Sequence, residues 1–125
     1  MDSTINFYRE CVKRLLGEYE SLQDEGSQID LIFDDERMRY MALWVGWHQY
    51  KRIHQCVLHI DIIDSNLEMG ESHCILIQCN DTEEPIVTKL IEMGISEDKI
   101  SLGFIHPQHR EYLGREANVV AAGTV

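Results

Sequence analysis

Apolar residues change their spacing along this chain, and the changes mark out its elements. Over residues 5–22, Ile5, Tyr8, Cys11, Val12, Leu15, Leu16, Tyr19 and Leu22 recur at steps of three, four and one, the period of an amphipathic helix that Ser3 or Thr4 can cap. Residues 23–27, with Gly26 among acidic neighbours, read as a linker. A short apolar run at 29–33 and an acidic turn at 34–36 then lead into a long strand over 37–47. The stretch 44–63 is the organising segment: two apolar runs rich in Val, Ile, Leu and Trp, parted by a polar break at 48–52, read as a β-hairpin with its second strand at 53–63. Apolar residues in that second strand fall on both alternation sets, Ile53 and Val57 against Leu58, Ile60 and Ile62, so both sheet faces are expected to meet something other than water. Gly46, inside a strand, predicts a bulge or a close approach by another backbone or ring.

A loop at 67–72 precedes a fourth strand at 73–79. Thr82 then looks like an N-cap, with Glu83, Glu84 and Pro85 in the first turn of a helix over 83–93 that Gly94 stops. A turn at 96–99, a short strand at 100–104 and a short helix from Pro107 to Gly114 follow, and the weakly apolar tail 117–125 is expected to fray. The predicted fold is α+β: an antiparallel sheet of about four strands or more, the N-terminal helix packed across it, further helices toward the C-terminus, and one domain over residues 1–125.

Composition narrows the function. The formal charge is −11, from 22 acidic against 11 basic residues, and duplex DNA repels such a field, so direct DNA binding has little support. No stretch approaches the roughly 18 consecutive apolar residues of a membrane helix. The first residues lack the blocks of a signal peptide, which points to the cytoplasm.

Candidate chemistry is sparse. Cys11, Cys56, Cys74 and Cys79 are scattered in apolar settings without a C-x-x-C, so reduced, buried thiols are expected. His54 with Cys56, and His59 with Asp61, share strand faces, yet none of the six histidines has a diagnostic metal spacing. His73 and Cys74, as strand neighbours, point apart and cannot act as a catalytic pair. No nucleophile elbow, phosphate loop or dinucleotide fingerprint is present. The reading is therefore a non-enzyme with no catalytic residues, no metal and no cofactor. Trp44 and Trp47 carry the most interaction information: they lie on opposite parities of one strand, so at least one is expected in the main core, with the other either on the second sheet face or in the core as well.

Eight short segments in order resemble one family. I-F-D-x-E-R (32–37), V-G-W (45–47), H-I-D-I (59–62), I-x-I-Q (75–78), N-D-T-E (80–83), L-x-x-x-G-I (90–95), D-K-I-x-L-G-F (98–104) and H-P-x-x-R (106–110) resemble the XisI-like family, the fdxN element excision controlling factors of cyanobacteria. The chain departs from the family pattern in its longer loop after Asp64 and in the segment after Arg110. The resemblance implies a small α+β protein that works beside a companion excision factor, XisH-like, in controlling site-specific excision of a DNA element during heterocyst development. Contact with DNA then runs through the complex, a homo-oligomer stays open, and Trp44, Trp47 and Arg110 are the candidate partner-binding residues. Two other classes remain: a direct DNA-binding accessory factor, and a small hydrolase or nuclease subunit.

Overall fold

In the computed structural model of the protein, which describes residues 3–65 and 72–105, the chain runs as α1 (Ser3–Gly17), β1 (Gln23–Asp24), β2 (Ser27–Asp34), β3 (Arg39–His48), β4 (Lys51–Ser65), β5 (Ser72–Asn80), α2 (Ile86–Glu92) and β6 (Ile100–Leu102), with a 3₁₀ turn at Glu97–Lys99 before β6. The strands form one sheet in the order β1-β2-β3-β4-β5-β6. Neighbours from β1 to β5 pair antiparallel, so β3 and β4 form the hairpin that the apolar runs predict. The sheet is mixed, however: β6 pairs parallel to β5, because the chain leaves the sheet through α2 before returning.

The first helix is shorter than its apolar period. It ends at Gly17, yet Tyr19 N–H bonds Leu16 O at 3.0 Å and Leu22 N–H bonds Tyr19 O at 3.1 Å, and these tight turns keep Tyr19 buried on the helix side. The second helix starts at Ile86, not residue 83. Asn80 Oδ1 accepts from both the N–H and the hydroxyl of Thr82, and Thr82 Oγ1 accepts the Glu84 N–H at 3.1 Å. The polar side chains thus hold residues 80–84 in turns, and Pro85 becomes the flanking residue of α2. The linker at 23–27 supplies the two-residue β1, and β6 stops at Leu102, short of residue 104.

Both helices lie on one face of the sheet. Val12, Leu15 and Leu16 of α1 and Ile86, Val87 and Leu90 of α2 share a core with Tyr40 and Ala42 of β3, Leu58, Ile60 and Ile62 of β4, Ile75 and Ile77 of β5, and Ile100 and Leu102 of β6. Burying each large aliphatic side chain contributes on the order of 2 kcal/mol, so this layer dominates stability. The helix is also tied down at its edge: Lys13 Nζ meets Asp35 Oδ2 at 2.7 Å, and Tyr40 Oη donates to Asp35 Oδ1 at 2.8 Å. These bonds hold the Asp35 carboxyl below its usual range, Lys13 first and Tyr40 second.

Two bulges set which side chains face where. Ala42 pairs with Leu58 but Leu43 pairs with Cys56, leaving Val57 as the extra residue; His59 pairs with Cys79 but Ile60 pairs with Ile77, leaving Gln78 as the extra one. The first bulge re-phases β4, so Ile53, opposite Gly46, belongs to the same face as Leu58. Part of the two-parity pattern in β4 is therefore a change of phase and not burial on two sides. Gly46 itself is not bulged. It sits at φ 151, with Gly26 O and Ser27 Cα in the space a β-carbon needs, which is the close approach that a strand glycine predicts.

Candidate functional site

The alternation of β3 sends Tyr40, Ala42 and Trp44 toward the helices and Met41, Leu43, Val45 and Trp47 to the opposite face. On that outer face Cys56, His59, Asp61 and Ile63 of β4, Leu76 of β5 and Ile32 of β2 stand beside them. None of Met41, Leu43, Val45, Ile63 and Leu76 belongs to the helix-side core, and neither helix lies over this face. Ile32 and Trp47 are exposed, Trp47 by 51%. Among the described residues, the outer face is thus an apolar sheet surface without a covering layer of secondary structure.

A polar cluster sits within it. Asp61 is only 3% exposed, and its carboxylate receives His59 Nε2 at 2.8 Å on one oxygen and Gln78 Nε2 at 2.9 Å on the other, with Arg39 Nε at 3.6 Å. The Gln78 contact depends on the second bulge, which turns an extra side chain to the outer face. Burying a carboxylate costs free energy unless it is hydrogen-bonded, and this one has donors from three strands. The arrangement fixes β3, β4 and β5 against one another.

At the hairpin end, Arg52 lies over the Trp47 ring, 5.3 Å from its centroid, and its guanidinium donates to Gly46 O at 3.3 Å. Gln49, at φ 58, turns the two-residue loop between His48 and Lys51, so the polar break predicted over 48–52 is mostly strand. At the other end of the face, Gln78, Cys79 and Phe104 line a shallow depression of about 270 Å³. Cys79 Sγ donates to Cys56 O at 3.2 Å, and burial, followed by Cys56, pushes its thiol up to about 11. All four cysteines are free thiols. Among the described residues, no three His, Cys, Asp or Glu side chains gather as a metal site.

The two tryptophans part as their parity predicts. Trp44 is half-buried on the helix side, where it packs against the core, and Trp47 stands on the outer face. Arg110, the helix from Pro107 to Gly114, the loop at 67–72 except its last residue and the tail 117–125 lie outside the described residues. Sequence reasoning missed Asp61 as the centre of a network. The H-I-D stretch placed His59 and Asp61 on one face, but the third donor, Gln78, reaches that face only through a bulge.

A model of the XisI protein family matches residues 1–115. The chain belongs to the XisI family. Two solved structures carry the same fold. A XisI-like protein from Anabaena variabilis is 35% identical, with a TM-score of 0.76 over 86% of this chain and 94% of that one. The fdxN element excision controlling factor XisI from Anabaena variabilis is 29% identical, with a TM-score of 0.67 over 84% of this chain and 96% of that one. No curated protein matches. Among the described residues, no helix is long and apolar enough to cross a membrane.

Proposed function

We propose that this XisI-family chain is a non-enzymatic regulatory protein of the cyanobacterial cytoplasm that supports site-specific DNA excision by binding a companion, XisH-like excision factor through its outer sheet face. The observation that carries the reading is the one-sided cover of the sheet among the described residues: both helices pack on one face, and Met41, Leu43, Val45, Ile63 and Leu76 lie half-buried on the other, outside the helix-side core. Apolar surface of this kind gains free energy when a partner removes it from water. The solved relative named as an fdxN element excision controlling factor supports the link to excision. The charge of −11 supports a more basic partner and opposes direct contact with DNA.

The test is capture of a co-expressed companion factor by the wild-type chain and by Leu43→Arg, with element-border DNA titrated against the chain alone and against the complex. The expected result is capture by wild type, loss of capture in the variant, and DNA binding by the complex only. Salt-sensitive DNA binding by the chain alone overturns the reading.

A further inference from the structure

The helix-side layer leaves an indentation beside Trp44. Because α1 stops at Gly17, it does not extend over Trp44, and Trp44, Tyr19, Ile29 and Val57 wall a groove of about 300 Å³. Val57 reaches it as the extra residue of the first bulge. The connection from β5 to α2 forms the rim and brings Asp81, Glu83 and Glu84 to it.

The three carboxylates are not equivalent. Glu84 is engaged by Lys89, whose Nζ stands 3.1 Å from Glu84 Oε1 and 3.2 Å from Glu18 Oε1. Asp81 Oδ2 receives a neutral donor, Gln55 Nε2, at 2.9 Å. Among the described residues, Glu83 has no cationic partner and no lysine or arginine lines the groove, although Lys89 stands close behind its rim at Glu84. Two negative charges are therefore left uncompensated at the mouth of an apolar slot. Tyr19 is buried, and its hydroxyl lies beside Thr82, whose own hydroxyl donates to Asn80 and accepts the Glu84 N–H.

Each part selects the same occupant. Apolar walls accept a methylene stem, an indole and a phenol ring attract a cation through their electron-rich faces, and carboxylates at the rim accept the charged head. A hydrated inorganic cation makes no use of the walls, and a neutral apolar group leaves the charges unanswered. Guanidinium fits better than ammonium: it is planar, weakly hydrated, stacks on aromatic rings and offers several donors at once to the carboxylates of the rim.

We infer that the groove receives an arginine side chain of the partner protein, held between Trp44 and Tyr19 with its guanidinium at Asp81 and Glu83. The inference rests on the partner-binding reading in naming a residue of that partner. The groove lies on the helix side of the sheet, so the arginine belongs to a part of that partner that reaches beyond the outer face, and a free arginine probe tests the groove apart from the outer-face contact.

The chain has two tryptophans. Trp47→Phe leaves Trp44 as the sole indole fluorophore. The experiment titrates that variant with N-acetyl-arginine methylamide and, in parallel, with its uncharged isostere N-acetyl-citrulline methylamide. The expected result is a saturable change in Trp44 emission at millimolar arginine probe, weaker by at least about fivefold for citrulline and after Asp81→Asn with Glu83→Gln. If the double change unfolds the chain, Glu83→Gln alone, at an exposed position, serves the same comparison by the Trp44 indole N–H shift. A linear response, equal response to both probes, or binding that ignores the carboxylates overturns the assignment. Probe binding without capture of a companion factor leaves the groove standing and overturns the proposed function; capture without probe binding does the reverse.

Discussion

Gly46 and Gly26 meet backbone to backbone: a β-carbon on Gly46 would overlap the Gly26 carbonyl oxygen and stand 2.5 Å from Ser27 Cα. The contact lets Trp47 N–H bond Gly26 O at 2.8 Å and carries the ladder past the end of β2. Neither obstacle is a flexible side chain, and φ is 151, a conformation that side-chain-bearing residues resist. Gly46→Ala is expected to destabilise by at least about 2 kcal/mol, and Gly46→Val by more. Urea unfolding midpoints measure this; a shift worth less than about 0.5 kcal/mol contradicts the contact.

Asp61→Ala should cost about 2–3 kcal/mol, because it strips Gln78 and His59 of their acceptor and leaves Arg39 without its ion-pair partner. Thermal denaturation of this variant beside Asp30→Ala, an exposed position, checks the claim, since equal melting temperatures would mean that the network holds nothing.

Asp35 makes stability depend on acid. Its carboxyl is held below the ordinary aspartate range, so the folded state takes up the proton less readily than the unfolded one. The stabilisation is therefore fully present above the unfolded pKa and disappears as pH falls through the lower folded value. Asp35→Asn is expected to lose about 1 kcal/mol at pH 7, a modest figure because the side chain is half exposed, and to show a flatter stability profile below about pH 4. Parallel curves for the two proteins across that acid range would rule out the linkage.

Much of this architecture is legible in the residues, for physical reasons that also explain the errors. The helix period in α1 and the apolar runs of β3 and β4 are burial patterns, and burial is what sequence records best. The end of α1 was harder to see. Tyr19 stays buried through tight turns that imitate one more helical turn. The parallel return of β6 depends on a crossover through α2, which no local pattern encodes. Val57 and Gln78 look like ordinary strand residues, yet as bulge residues they build the groove and complete the Asp61 cluster. Trp44 and Trp47 were separated correctly by parity alone because no bulge intervenes between them.

Cys79 should be a slow nucleophile. With its thiol pushed up to about 11, only about a thousandth is thiolate at pH 8, and alkylation by iodoacetamide should lag far behind a free cysteine and still be accelerating at pH 10. Peptide mapping after timed alkylation gives the rate at this position. A rate that levels off by pH 9 would mean that the thiol is not perturbed.

Trp47→Ala separates binding from folding. The ring is half exposed and its described partner is Arg52, so stability should fall by less than about 1 kcal/mol, while affinity for a partner seated on the outer face drops by about tenfold or more. Calorimetry on the complex, with melting of the free chain as control, distinguishes the two effects; unchanged affinity removes Trp47 from the interface.

The described sheet ends in very short strands, two residues in β1 and three in β6. A strand edge recruits other chains by offering a row of unpaired backbone groups, and any extended segment of any sequence can answer it. A two-residue β1 offers almost no such row itself, but it covers only residues 27 and 28, so among the described residues no strand pairs with the outer edge of β2 over 29–34. An extended segment of a partner has six residues there on which to add as a further strand. Asp30 and Asp34, standing along that edge, turn away acidic segments and leave it to basic or neutral ones.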